Sequence, residues 1–134
     1  MNMKALSALL IPLGLLSACS KPLPPEEQVK QRAEARYEAL LAGDAKKAYG
    51  FLTPAKREAL NYENYLRTHP QRLNIKSAKV LKVACQTPDA CQAEVEIEYN
   101  YEPGFKGYVP GQMQMVKPEK WVRVDNQWWL FIKK

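Results

Sequence analysis

Apolar and polar residues alternate strictly between Cys91 and Tyr101. The apolar members are Cys91, Ala93, Val95, Ile97, Tyr99 and Tyr101, and the polar members are Gln92, Glu94, Glu96, Glu98 and Asn100. Because successive side chains of a β-strand point to opposite faces, this pattern predicts a strand with one buried and one solvated face. The chain must therefore build a sheet that is covered on one side.

The N-terminal residues have the layout of a secretory signal. Lys4 precedes an apolar run from Ala5 to Leu16, which is too short for a transmembrane helix of about 20 residues. The sequence Leu16-Ser17-Ala18-Cys19 resembles the lipobox of bacterial lipoproteins, which implies cleavage before Cys19 and lipid on that cysteine. The alternative is an ordinary signal peptide that leaves Cys19 as a free thiol, a liability in an oxidising compartment.

This resemblance divides the chain into three parts: a signal peptide at 1–18, a lipidated tether at 19–25 and one domain at 26–134. The proline-rich tether is expected to be extended and to reach roughly 20 Å. By resemblance to lipoproteins of Gram-negative envelopes, Ser20 after the cysteine implies the outer membrane, facing the periplasm. The net charge of +6 falls to +5 without residues 1–18, and no basic run exceeds a pair. An acidic protein or anionic headgroups could be attracted, whereas nucleic acid is not expected.

Cys85 and Cys91 flank a short segment that contains the turn signature Pro88-Asp89. In an exported protein, such a pair predicts a disulfide, which should contribute about 2 kcal/mol. Metal binding is the rival interpretation, but the single histidine, His69, is distant in sequence and a second cysteine pair is lacking.

The pairing of Cys85 with Cys91 sets the register of a hairpin that residues 75–85 would form with the alternating strand. It places Lys82 opposite Glu94 on the polar face. The apolar pairs of this register are Val83 with Ala93 and Leu81 with Val95. Toward the N-terminus of the first strand of this hairpin, the apolar residues change to the other face. A bulge near Lys79 would restore the alternation.

The residues before this hairpin have a helical period. A first helix is predicted from Glu26 to Gly43, a second is capped by Asp44, and a third begins at Thr53-Pro54 and ends near His69. The apolar positions of the three helices are Val29, Ala33, Tyr37, Leu40 and Leu41, then Ala48, Phe51 and Leu52, then Leu60, Tyr62, Tyr65 and Leu66.

The C-terminal segment predicts a second hairpin with Asp125-Asn126 as its two-residue turn. Both faces are apolar, with Val122, Val124, Trp129 and Phe131 on one and Trp121, Trp128, Leu130 and Ile132 on the other. The strands should lie centrally, or one set must be covered by a second chain, a ligand or the loop that contains Phe105 and Tyr108.

The order of these elements resembles the small bacterial lipoproteins of the nuclear-transport-factor-two-like superfamily. The motifs that carry the resemblance are Leu41-Ala42-Gly43-Asp44 with Ala48-Tyr49, Phe51-Leu52-Thr53-Pro54 with Arg57, Tyr62-Glu63-Asn64-Tyr65, and the segment from Trp121 to Trp129. The resemblance implies an α+β cone, in which N-terminal helices pack on a curved antiparallel sheet. In that superfamily the cone mouth can be a pocket, and enzymes such as ketosteroid isomerase place an acid or base inside it.

Neither a catalytic set, nor a metal cluster, nor a cofactor motif is expected here, because the carboxylates lie at element ends or on the polar strand face. The candidate pocket residues are Tyr99, Tyr101, Trp121 and Trp128, although aromatic residues at strand spacing more often form core. The candidate binding surface consists of Phe105, Tyr108, Trp129 and Phe131.

Three functions remain open, one of which is a purely structural or stress-related role. The favoured hypothesis is a non-catalytic envelope module that binds a protein or cell-wall partner, with homodimerisation as the simplest use of an open sheet face. The alternative is a small-molecule binder or enzyme that uses the cone interior, which a polar pair deep in the cone would favour.

Overall fold

The computed structural model describes residues 21–68, 74–101 and 111–133. Within them, four helices precede four strands: α1 (Pro25–Leu41), α2 (Ala45–Tyr49), α3 (Pro54–Ala59), α4 (Tyr62–Thr68), β1 (Asn74–Thr87), β2 (Ala90–Tyr101), β3 (Gly111–Val124) and β4 (Gln127–Phe131). The strands form an antiparallel sheet in the order β1-β2-β3-β4. The predicted α+β class is confirmed.

The helix α1 begins and ends close to the predicted positions. It starts at Pro25, one residue earlier than expected, because proline is favoured in the first turn and Glu26 and Glu27 stabilise the positive end of the helix. Gly43 follows with a φ of 73°, a left-handed conformation that suits glycine. None of the helices within the described ranges has the length and apolar character needed to cross a bilayer.

The two predicted caps of the short helices are confirmed. Asp44 Oδ1 accepts a hydrogen bond from Lys47 N at 2.9 Å, and Thr53 Oγ1 accepts one from Lys56 N at 3.2 Å.

The prediction of a single third helix is wrong, because the segment divides into α3 and α4. Leu60 has an extended φ of −129°, which ends α3. Asn61 Oδ1 then accepts a hydrogen bond from Asn64 N at 2.9 Å at the start of α4. A side chain that caps a new helix competes with continuation of the old one, and here the cap prevails.

The first hairpin has the predicted turn and disulfide, with Cys85 bonded to Cys91 and Lys82 opposite Glu94. The predicted pair of Leu81 with Val95 is wrong. Val80 faces Val95 instead, because a register shift lies between Val80 and Lys82 and leaves Leu81 exposed. A bulge was expected near Lys79, and the irregularity that changes the face of the apolar residues, at Leu81, falls two residues later.

The second hairpin turns at Asp125 and Asn126, whose φ values of 51° and 59° are both positive, as a tight two-residue turn requires. The strand β4 is an edge strand, so the expectation of a central position is wrong for it. Its outer backbone is nevertheless paired: Leu130 N donates to Phe51 O at 2.8 Å, and Thr53 N donates to Leu130 O at 3.2 Å. The edge is thus covered by the chain between α2 and α3.

The helices cover one face of the second hairpin and leave the other open. The covered face contributes Trp121, Trp128 and Leu130 to a core that also includes Val29, Ala33, Tyr37, Phe51, Leu52, Tyr65, Cys91, Ala93, Val95 and Ile97. On the opposite face, Phe131 is 39% and Val124 is 42% exposed. Apolar side chains therefore remain on the outer face of the sheet.

Candidate functional site

A buried charged pair links the long helix to the sheet. Arg36 on α1 is 1% exposed and Glu119 on β3 is 3% exposed. Arg36 Nη1 donates to Glu119 Oε1 at 3.1 Å, and Tyr37 Oη donates to the same oxygen at 2.7 Å. A buried ion pair of this kind is stable only when both charges remain partnered.

Several polar atoms of this cluster have no hydrogen-bond partner among the described residues. They are Arg36 Nε, Glu119 Oε2 and the neighbouring Trp121 Nε1. An unsatisfied buried polar atom costs about 1–3 kcal/mol, so a water or polar ligand that reached these atoms would stabilise the cluster. Lys117 Nζ lies 3.8 Å from Glu119 Oε1 and adds a positive charge on the solvent side.

Electrostatics fix the hydrogen-bonding roles in the cluster. Burial lowers the pKa of Arg36, but the attraction of Glu119, Tyr37 and Tyr65 outweighs burial and raises it overall. Burial and the charge of Glu119 both raise the pKa of Tyr37 above its ordinary range. Tyr37 therefore keeps its proton and remains a donor to Glu119 at neutral pH.

Arg36 and Glu119 were not among the expected site residues, and the expectation that the carboxylates lie at element ends or on the polar strand face is wrong for Glu119, which is buried. Both residues had a detectable signal. Arg36 lies three residues after Ala33 on the buried stripe of α1, and Glu119 lies two residues before Trp121 on the same face of β3. The charged residues and Pro118 before Trp121 are atypical of a central strand, and they hide the alternation of faces in this segment.

The predicted pocket residues have separate environments. Trp121 and Trp128 are buried in the core, and Tyr99 is half-buried with its hydroxyl 3.9 Å from Met113 Sδ. The side chain of Tyr101 lies outside the described residues, as do Phe105, Tyr108, His69 and Cys19.

Trp129 and Phe131, the described members of the predicted binding surface, both lie against cations. The Cζ atoms of Arg32 and Arg57 are 5.5 and 5.2 Å from the Trp129 ring centroid, which leaves this indole half-buried. Lys120 Nζ is 5.0 Å from the ring centroid of Phe131. The part of the open face around Trp129 and Phe131 is therefore both aromatic and basic.

Two of the cavities that the described residues form lie beside α1. One of about 150 Å³ lies between α1 and β1 and is bordered by Tyr37, Val80 and Val95. The other, of about 280 Å³, lies between the first turns of α1 and the β3–β4 turn. Within the described ranges, no three His, Cys, Asp or Glu side chains are grouped so that they could hold a metal ion.

No protein-family model matches the sequence, and no curated protein matches it significantly. Among solved structures, a SEC-C motif containing protein from Psychrobacter arcticus is 14% identical over 87% of this chain and 75% of its own, with a TM-score of 0.60. A SEC-C motif containing protein from Rhodopseudomonas palustris is 11% identical over 74% and 71%, with a TM-score of 0.55. A proposed dehydratase of the NTF2-like family from Streptomyces avermitilis is 17% identical over 78% and 90%, with a TM-score of 0.52.

The chain has the nuclear-transport-factor-two-like fold. At these identities the likeness concerns the cone alone, because this fold carries unrelated activities in different proteins. In the cone of this chain, the Arg36–Glu119 pair occupies the interior between the long helix and the sheet.

Proposed function

We propose that this protein is a bacterial envelope lipoprotein whose cone domain binds a protein or cell-wall partner through the outer face of the sheet. The observation that carries the proposal is the exposure of Phe131 and Val124 on a face that the helices do not cover. An aromatic and basic surface is typical of interaction sites, in which aromatic residues supply contact area and cations attract acidic groups.

In this proposal, lipid on Cys19 anchors the protein in the membrane. Support comes from the signal-like residues 1–18, the lipobox-like motif and the start of α1 at Pro25, the last residue of the predicted tether. A tether of this length would hold the cone within roughly 20 Å of the bilayer. We place the protein at the outer membrane, on the periplasmic side, because Ser20 follows the cysteine.

We expect the double variant Trp129→Ser/Phe131→Ser to lose dimerisation or partner capture while the domain stays folded. Sedimentation of the purified protein and a pull-down of its partner from cross-linked envelopes measure this, with circular dichroism as the folding check. Because Trp129 is half-buried under two arginines, a second variant, Val124→Ser/Phe131→Ser, removes only exposed side chains.

The matched control is Leu41→Ser/Leu66→Ser, which removes apolar side chains that are 44% and 37% exposed on the helical side. It should behave like the wild type. If both outer-face variants retain the oligomeric state and the partner, the outer face is not the binding surface.

The buried cluster favours a second candidate, a small-molecule site inside the cone. Glu119 Oε2 and Trp121 Nε1 lack partners among the described residues, and a polar ligand would satisfy them. Native mass spectrometry discriminates the candidates. A small molecule that co-purifies with the wild type and is lost from Glu119→Gln favours the interior site, whereas an unliganded wild type favours the binding module.

A further inference from the structure

A cleft of about 280 Å³ opens between the N-terminal turns of α1 and the β3–β4 turn. Its lining consists of Gln28, Gln31, Arg32, Asn126, Gln127 and Trp128. Trp128 Nε1 donates to Gln28 Oε1 at 3.2 Å, and Gln28 Nε2 donates to Leu23 O. These bonds occupy both ends of the Gln28 amide and fix one wall of the cleft.

Arg32 places a positive charge at the cleft in a fixed orientation. Its Nε donates to Trp128 O at 3.1 Å, and its Cζ lies 4.5 Å from the ring centroid of Phe51. Partial burial lowers the pKa of this guanidinium, because the charge is incompletely hydrated. None of the described carboxylates forms an ion pair with Arg32, so an anion from outside could neutralise it.

The other exposed lining residues are uncharged amides. The side chains of Gln31, Asn126 and Gln127 are exposed and make no hydrogen bonds within the described ranges. Each offers both a donor and an acceptor, which is the complement of a peptide group. The lining contains no acidic side chain that would repel an anion.

We propose that this cleft binds the free carboxylate end of a peptide. Arg32 pairs with the carboxylate through its planar fork, and the exposed amides bond the adjoining peptide groups. The volume is at the lower limit of small-molecule pockets, which are about 300–1,000 Å³, so the ligand is a short terminal segment. This site lies beside the outer face and shares Arg32 with it, because Arg32 also contacts the Trp129 ring, but it does not depend on the lipid anchor.

A free carboxylate at the end of a peptide occurs in two kinds of molecule. One is the L-configured C-terminus of a protein, and the other is the D-configured peptide end of bacterial cell wall. The test titrates the full chain, purified in detergent, with acetyl-Ala-Ala in L,L and D,D forms, each as free acid and as carboxamide. We expect at least one acid to bind about tenfold or more tightly than its own amide, because charge-assisted bonds are roughly twice as strong as neutral ones. The configuration that binds identifies the source.

The variant Arg32→Lys keeps the charge but removes the fork, and it should weaken acid binding about tenfold while amide binding hardly changes. Arg57→Lys is the matched control, because Arg57 also lies over Trp129 but does not line the cleft. Equal affinity for acid and amide, absence of binding by all four peptides, or equal losses in the two variants would overturn the proposal. The acid–amide comparison on the wild type decides the matter even if Arg32→Lys fails to fold.

Discussion

Glu119→Ala is expected to lower the free energy of unfolding by about 3–5 kcal/mol, because it leaves Arg36 charged and buried without a counter-charge. It also removes the acceptor of the 2.7 Å hydrogen bond from Tyr37. Urea denaturation at neutral pH, followed by circular dichroism, measures the change. Few single substitutions have so large an effect, and those that do generally break a buried network or create a cavity.

Two further variants test whether the loss of stability arises because the charged pair is buried. Asp89→Ala breaks the ion pair of Arg123 and Asp89 at 2.8 Å, whose side chains are partly exposed, and should cost at most about 1 kcal/mol. The double variant Arg36→Met/Glu119→Leu removes both charges and should be more stable than Glu119→Ala. If Glu119→Ala costs no more than Asp89→Ala, the pair is not enclosed as the structure has it.

Trp121→Ala should destabilise the protein by about 3–5 kcal/mol, because it leaves a large cavity between α1 and the sheet. Phe131→Ala, on the open face of the same hairpin, should cost less than about 1 kcal/mol for a partly exposed side chain. The difference between these variants in urea unfolding tests which face is core. Similar losses in both would mean that the outer face is also buried, for example in a stable dimer, and the concentration dependence of the midpoint would identify that case.

Patterns within short stretches of the sequence predicted much of the fold. The alternation around Val95 and the cysteine pair predicted the first hairpin, and the caps at Asp44 and Thr53 predicted the starts of two helices. Each of these signals lies within a few residues of the structure that it determines, so the sequence displays it directly.

The wrong predictions have two causes. Neighbouring residues compete to form different local structures, and some contacts join residues that are far apart in the sequence. The cap at Asn61 divides a stretch that was predicted as one helix, and the bulge at Leu81 shifts the strand phase. Arg36 and Glu119 are 83 residues apart. Helix and strand periodicity can place each of them on a buried face, but only the packing of the sheet on α1 shows that they form a pair.

The candidate binding surface was predicted in part. The separation of the second hairpin into two apolar faces follows from strand parity, and it places Trp121 and Phe131 on opposite sides. Parity cannot show that Arg32 and Arg57 reach across to Trp129, because these arginines come from helices in the other half of the chain.

The intact mass of the protein extracted from membranes of its own cell distinguishes a lipoprotein from an exported protein without a lipid anchor. We predict a chain that begins at Cys19 and carries diacylglyceryl and amide-linked acyl groups, since stable anchoring requires two or more acyl chains. In density-gradient fractionation, it should sediment with the outer membrane, and Cys19→Ala should abolish the acyl mass. A soluble mature protein without acyl mass would contradict the anchor and the placement at the membrane.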